Sequence, residues 1–191
     1  MKAWKHFCTI TKHRWAVRKH CFQVGLYWRG LVHDLSKYSP AEFMTGARYY
    51  QGTRSPNSRE RELVGYSTAW MHHKGRNRHH YEYWTDLDLK TRKYVAMPMP
   101  RKFFTEMIMD RIAACKIYHG KSYTDADALE YLDNSSEGRD KTMMNPQTKA
   151  ELRHILVMLK EKGEKETFTY IREVVLTGKP IIITDENDED A

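Results

Sequence analysis

The chain has 191 residues, a length that suits one domain with a buried core of its own. Its three cysteines are scattered without a CxxC spacing, which argues against a disulfide framework and predicts a reducing, cytoplasmic environment. No apolar run approaches the roughly 20 residues of a membrane span, and the charged N-terminal segment is not typical of a signal peptide. The sequence therefore predicts no membrane association.

The net charge of +7 is unevenly distributed along the chain. The last eight residues, TDENDEDA, contain five acids and no base, so the rest of the chain carries +12. A body this basic favours anionic partners, either phosphorylated small molecules or nucleic acid. A lysine-rich surface that serves solubility alone is the alternative.

Most of the chain has the spacing of apolar residues that predicts amphipathic helices. The first helix contains neither proline nor glycine and includes Trp4 and Trp15 among its apolar positions. Ser39 and Glu42 form the pattern of a capping box, and Ser58 is predicted to cap the next helix. The predicted helices span residues 3–24, 26–37, 41–50, 59–73, about 101–119, 146–162 and 165–178.

One segment between these helices has strand character. Residues 86–96 predict a small β-hairpin that turns at residues 90–91, with two prolines stopping it beyond residue 97. We find no internal repeat and no linker. The predicted fold class is therefore all-α: one compact helical bundle over residues 1–182, followed by an acidic, disordered tail over residues 183–191.

The segment WMHHKGRNRHHYEYW, residues 70–84, contains four histidines within nine residues: His72, His73, His79 and His80. It could be a metal site, a nucleic-acid-binding patch or a polar loop. His72 and His73 are adjacent on a predicted helix and project about 100° apart, so one of them is expected to point away. The choice between these alternatives depends on whether other potential metal ligands occur elsewhere in the chain.

Candidate partners precede and follow the cluster. His33 is followed directly by Asp34, and His13 lies upstream on the first helix, where His6 and His20 share its heptad row. Asp110 lies on an apolar helix face, where a carboxylate is costly to bury unless it is paired or bound to a cation. Imidazole and carboxylate together suit divalent transition metals.

This order, H…HD…H…HH…D on helices, resembles the HD-domain superfamily of metal-dependent phosphohydrolases. A narrower resemblance, over residues 8–175, is to small, functionally uncharacterised HD-like proteins of bacteria and phages that are sometimes mislabelled catalase. No haem-binding arrangement supports that label here. The motifs of that family, H-x3-V, HDxSK, H-x3-N-x-HH-x-E and a later Asp, fall on His13, Val17, His33, Asp34, Ser36, Lys37, His73, Asn77, His79, His80, Glu82 and Asp110.

The resemblance implies an HD-domain-like fold and a bound divalent transition metal (Mn, Fe, Co, Ni or Zn), as one or two ions. His13, His33, Asp34 and Asp110 are the expected ligands of the first ion. The cluster is expected to contribute through His73 and through His79 or His80; otherwise it is a substrate-facing loop. Asn77 and Glu82 would then orient imidazole rings.

The expected activity is hydrolysis of a phosphate ester or phosphoanhydride, with a nucleotide as the favoured substrate. Asp34 and Lys37 are the predicted catalytic residues. Lys37 should project from the same helix face as His33, one turn later. Lys74, Arg76 and Arg78, together with Lys37, are candidate phosphate-binding residues, unless they form a solvated face.

The rival hypothesis is a non-catalytic, metal-containing HD scaffold that binds nucleic acid or another anionic partner. Residues 48–54 and 72–84 interleave bases with aromatic residues, as proteins that bind single strands do. Against it, these aromatics have the spacing of helical core residues and belong to no recognisable nucleic-acid motif. The sequence does not determine the oligomeric state.

Overall fold

The computed structural model describes residues 1–134 and 143–183. These residues form eight α-helices and one hairpin, joined by short 3₁₀ turns, and a π turn follows the last helix. The tail predicted over residues 183–191 lies outside the described residues except for Ile183. The helices are α1 (Lys2–Gln23), α2 (Tyr27–Val32), α3 (Pro40–Tyr49), α4 (Pro56–Val64), α5 (Thr68–Lys74), α6 (Arg101–His119), α7 (Asp127–Asn134) and α8 (Pro146–Tyr170), and the strands are β1 (Thr85–Asp88) and β2 (Lys93–Ala96).

The predicted all-α class with a small hairpin is confirmed. β1 and β2 pair antiparallel with Thr85 opposite Ala96 and Asp88 opposite Lys93, so the chain turns where the sequence predicted. α6 has the predicted bounds. None of the described helices combines the length and apolar character needed to cross a membrane.

The helix predicted over residues 26–37 is interrupted at the His33–Asp34 pair. α2 ends at Val32, Asp34 adopts left-handed backbone geometry with φ of 52°, and a 3₁₀ turn follows over Leu35–Tyr38. Aspartate is one of the few residues besides glycine that tolerates this conformation. The HD pair therefore lies in a sharp bend between two elements and not on a helix.

The helix predicted over residues 59–73 is two helices. Gly65, with φ of +88°, ends α4, and the Ser67 hydroxyl caps α5 by accepting a hydrogen bond from the Trp70 amide. Ser58 is not a cap, because Pro56 already occupies the first turn of α4. Gly75 follows the end of α5, as predicted.

The C-terminal half contains one helix that the sequence pattern missed. α7 is short and acidic, and no prediction covered it. α8 joins the two predicted C-terminal helices across Gly163, whose φ of +75° kinks the chain between them, and a π turn over Ile171–Val175 follows.

The core lies between α1, α6, α7 and α8, whose buried apolar side chains form one contiguous cluster. α1 also packs against α2 and α3. Its inner face buries His6, His13 and His20 beside Val17. Trp4 and Trp15, which share the apolar pattern of that helix, are instead 64% and 61% exposed on its outer side.

Candidate metal centre

The buried carboxylate of Asp34 is the centre of a cluster of histidine rings. Its Oδ1 atom lies 3.3 Å from His73 Nε2 and 3.4 Å from His79 Nε2. Its Oδ2 atom lies 3.4 Å from His33 Nε2 and 4.0 Å from His13 Nε2. The two carboxylate oxygens therefore face two different sets of imidazoles.

These contacts define two groups of potential ligands that share Asp34. Within each group, one ligand atom per residue lies within 4.8 Å of all the others. We call them the first and the second ligand group. The first comprises His13, His33, Asp34 and Asp110, and the second comprises Asp34, His73, His79 and His80.

Asp110, on α6, closes the first group from the opposite side. Its Oδ1 atom lies 2.8 Å from His13 Nε2 and 3.4 Å from His33 Nε2, and its Oδ2 atom lies 3.7 Å from His79 Nε2. α1 supplies His13 because its inner face packs on α6. Of the heptad row on α1, the middle histidine is the one that reaches Asp110.

Two further buried carboxylates, Glu106 and Glu42, contact the Nδ1 atoms of the histidine rings. Glu106 Oε1 lies 3.0 Å from His33 Nδ1 and 3.3 Å from His79 Nδ1, while its Oε2 accepts a 2.6 Å hydrogen bond from Arg29 Nε. Such partners fix the orientation of a ring and leave Nε2 available to a metal. Glu106 therefore positions one ring from each ligand group.

Glu42 has the corresponding role on the other side of the second group. Its carboxylate oxygens lie 2.7 Å from His72 Nδ1 and from His73 Nδ1. Asn77 Nδ2 donates to the His73 carbonyl at 2.9 Å and to Ser36 Oγ at 2.7 Å, which ties the 3₁₀ turn to the end of α5.

The two orienting glutamates were missed by the sequence reading. Glu42 was assigned to a capping box, but the Ser39 hydroxyl makes no hydrogen bond with the described residues and Glu42 turns to the histidines. Glu106 had a usable signal. It lies four residues before Asp110, hence on the same helix face, in the otherwise apolar run FFTEMIMD.

The buried carboxylates of the centre need nearby positive charge to remain ionised. Burial alone would raise the pKa of Asp34, but the charges of His33, Lys37 and His73 hold it well below its usual value. Burial would likewise lower the pKa of His33, and the Asp34 charge holds it well above 6.5. Protons on rings or a bound cation can supply this charge.

In each group, the environment of one histidine favours the neutral form of its ring. Burial, followed by the charge of Lys37, lowers the pKa of His13. Burial, followed by the charges of His79 and His73, holds the pKa of His80 well below 6.5. A neutral imidazole is the form that binds metal.

The donor set fits a divalent transition metal. His33 Nε2, His79 Nε2, His80 Nε2 and Asp34 Oδ1 are buried and make no hydrogen bond with any described residue. Buried polar atoms normally have such partners, so these converging atoms are the ones that a cation could satisfy. Imidazole nitrogen with carboxylate oxygen is the ligand chemistry of Mn, Fe, Co, Ni and Zn.

The four-histidine segment is divided between two roles. His73, His79 and His80 enter the second ligand group, whereas His72 belongs to neither group and contacts Glu42. His79 and His80 lie beyond the end of α5, where helical spacing no longer predicts the direction of a side chain. Their placement depends on the turn that Asn77 anchors.

Lys37 reaches the centre by a different route from the one predicted. Because the chain leaves helical geometry at Asp34, Lys37 lies in the 3₁₀ turn and not one helical turn after His33. Its Nζ atom is 2.6 Å from Asp34 Oδ2, and its side chain is partly exposed. It therefore lies beside the metal ligands and also lines the adjoining cavity.

This cavity, of about 760 Å³, opens beside both ligand groups. Among the described residues its lining includes His13, His73, His80 and Asp110. Of the residues that the structure describes, the cationic ones in its lining are Lys37, Arg54, Arg61 and Arg111.

Three of the four predicted phosphate-binding residues do not line this cavity. Lys74, Arg76 and Arg78 lie at or beyond the end of α5, and the two arginines are exposed. Arg76 donates to the His72 carbonyl, and the guanidinium of Arg78 lies over the ring of Tyr83.

Comparison with known proteins identifies one family. A family model described as "Family of unknown function (DUF5662)" matches residues 2–158. Searches of curated proteins and of solved structures gave no match.

Proposed function

Because the chain belongs to the DUF5662 family, whose function is unknown, we propose a function from the site itself: metal-dependent hydrolysis of a phosphate ester or phosphoanhydride. The observation that carries the proposal is the pair of ligand groups that share Asp34 at the wall of a cation-lined cavity. This is also the arrangement that the resemblance to HD-domain phosphohydrolases implies.

Different residues of the site would hold the metal and orient its histidine ligands. A divalent cation bound there would act as a Lewis acid on a phosphoryl oxygen and lower the pKa of a coordinated water. Asp34 and Asp110 would supply the negative charge that retains it, and His13 and His80, whose pKa values are lowered, would supply nitrogen ligands. Glu106 and Glu42 hold rings in place.

The cavity indicates the class of substrate. Its volume falls in the range of about 300–1,000 Å³ that is usual for small-molecule sites. Lys37 and Arg111 offer charge to phosphate oxygens, and the rings of Tyr50, Trp70 and Tyr118 offer apolar surface to the remainder of the ligand. A nucleotide combines both chemistries and is the favoured substrate.

Metal analysis of the purified protein is the first test. We expect at least one equivalent of a divalent transition metal, retained through gel filtration. Asp34→Ala should abolish binding in both groups, while the pair His79→Ala and His80→Ala should empty the second group alone. His154→Ala, outside both groups, is the matched control. Less than about a tenth of an equivalent after reconstitution with manganese, iron or zinc would contradict the proposal.

Turnover of a panel of nucleotides and phosphate esters is the second test. Lys37→Met should retain the metal and lower turnover by about 10²-fold, because its ammonium stabilises charge that develops on phosphate oxygens. Lys160→Met on α8 is the control. A metal-loaded protein inert towards the whole panel, with Lys37→Met losing metal or fold, would favour the rival non-catalytic scaffold.

A further inference from the structure

The outer face of α1 is chemically different from the face that carries His13. His13 and Trp15 are two residues apart, which places them about 200° apart around the helix axis. His13 is buried at the candidate metal centre, whereas Trp15 is exposed on the opposite side. This outer face therefore takes no part in the centre or in its cavity.

Exposed aromatic rings lie along this face. Trp4 and Trp15 are eleven residues apart, so they project within about 20° of one another and are separated by about 16 Å along the axis. Both are more than three-fifths exposed. The guanidinium of Arg18 lies 4.8 Å from the centroid of the Trp15 ring and 5.1 Å from that of Phe22. Arg18 thus lies between two aromatic rings on this face.

A row of lysines flanks the stripe. Lys5, Lys12 and Lys19 are exposed and spaced by seven residues, which sets them about 10 Å apart along the helix. α1 contains no acidic residue, and the next two acids of the chain, Asp34 and Glu42, are buried at the candidate metal centre. The face therefore presents positive charge without a neutralising neighbour from its own helix.

We propose that the outer face of α1, defined by Trp4, Lys5, Lys12, Trp15, Arg18 and Lys19, binds single-stranded nucleic acid. The exposed rings would stack with bases and the lysine row would neutralise phosphates, which is the combination that proteins use to bind single strands without sequence preference. The core spacing that argues against nucleic acid concerns the aromatic residues of segments 48–54 and 72–84. On α1 the two tryptophans are in fact on the surface.

Two other occupants fit this face less well. A helix that lies on a bilayer presents an apolar face for insertion, but the aliphatic residues Ile10, Val17 and Val24 of this segment all point inward. A second copy of the chain would place the same lysines opposite one another, and like charges repel. An anionic polymer with stackable rings satisfies both the charge and the tryptophans.

Fluorescence anisotropy with a labelled oligothymidylate of about 20 nucleotides tests the proposal. The wild-type protein should bind, with affinity falling linearly in logarithmic salt between about 50 and 200 mM. The triple variant Lys5→Gln, Lys12→Gln, Lys19→Gln should reduce the slope by about 2, since each single-strand phosphate contact contributes about 0.7. The double variant Trp4→Ala, Trp15→Ala should weaken binding by at least about tenfold and leave the slope unchanged.

Matched control variants distinguish binding at this face from nonspecific attraction to a positively charged protein. Lys160, Lys162 and Lys165 on α8 are exposed, so their replacement by glutamine removes the same charge elsewhere and should leave the slope unchanged. Metal content and circular dichroism should be unaltered in every variant. The proposal is overturned if wild-type protein does not bind at about 50 mM salt, if the α8 control lowers the slope equally, or if phosphatidylglycerol vesicles bind and the oligonucleotide does not.

Discussion

At the scale of single residues, two carboxylates connect the ligand groups. Asp34 contributes one oxygen to each group, and Glu106 holds His33 of the first and His79 of the second through a single oxygen atom. Glu42, by contrast, contacts only His73 among the described ligands. The two glutamates therefore allow the linkage between the groups to be measured.

Glu106→Gln should weaken metal binding in both groups by about 10- to 100-fold, because the side chain loses its negative charge and one of its oxygens becomes an NH2 donor, which would face either the Arg29 guanidinium or the two Nδ1 atoms. Glu42→Gln is the matched variant and should weaken the second group alone. Competition titration with a chromogenic chelator measures both affinities. If Glu106→Gln changes one affinity while the other stays within about twofold of wild type, Glu106 does not link the groups.

At the scale of helices, the position of the HD bend depends on how closely α2 approaches α1. Gly30, inside α2, makes this approach possible: a β-carbon there would lie 2.8 Å from Cys21 Cβ and 3.3 Å from the Arg18 α-carbon. Neither atom can swing aside as the end of a flexible side chain can. His33 and Asp34 follow α2 directly, so the packing of α2 on α1 determines where both residues lie.

Gly30→Ala tests this packing, because helix propensity and overpacking would change the free energy of unfolding in opposite directions. Helix propensity alone predicts stabilisation by up to about 1 kcal/mol, because alanine restricts the unfolded chain more than glycine does. Overpacking against α1 should outweigh it and give net destabilisation of about 1–3 kcal/mol. Urea unfolding measures the difference, and a stabilised variant would show that α1 and α2 are not in close contact.

At the scale of the whole molecule, buried neutral histidines make stability depend on pH. Burial, followed by the charge of Lys37, lowers the pKa of His6 to about 4. Burial, followed by the charge of Lys116, lowers that of His20 to about 4 as well. Lys116 Nζ lies 3.2 Å from His20 Nε2, a contact that suits an unprotonated nitrogen acceptor.

The sign of the pH dependence follows from these shifts. The unfolded histidines titrate near 6.5, so between pH 6.5 and about 4 the unfolded chain binds more protons than the folded one. The stability that His6 and His20 contribute should be fully present above pH 6.5 and fall as the pH drops towards 4, by up to about 1.4 kcal/mol per pH unit for each of the two. Urea unfolding at several pH values, in chelator, measures this slope.

His20→Gln isolates one of the two contributions, because it removes a titrating ring that belongs to neither ligand group. The slope of stability against pH should become shallower in this variant between pH 6.5 and 4. A slope that matches wild type would show that His20 is protonated in the folded protein at these pH values.

Local features of the fold were within reach of the sequence. α1, α6 and the hairpin were predicted with nearly their observed bounds, because helical spacing, proline stops and turn residues are properties of neighbouring residues. Breaks that depend on a single backbone conformation were missed, such as the left-handed Asp34 and the helix boundary at Gly65. The short α7 was missed as well.

The sequence by itself determined the chemistry of the candidate site: imidazoles and carboxylates of the kind that bind transition metals, in an order that resembles HD-domain proteins. Tertiary structure alone decided which of them meet. It selected His13 from its heptad row, turned Trp15 outward and brought Glu106 to two rings from distant parts of the chain. The reason is physical: periodicity is written in adjacent residues, whereas the rotation of one helix against another is set by the packing of the whole core.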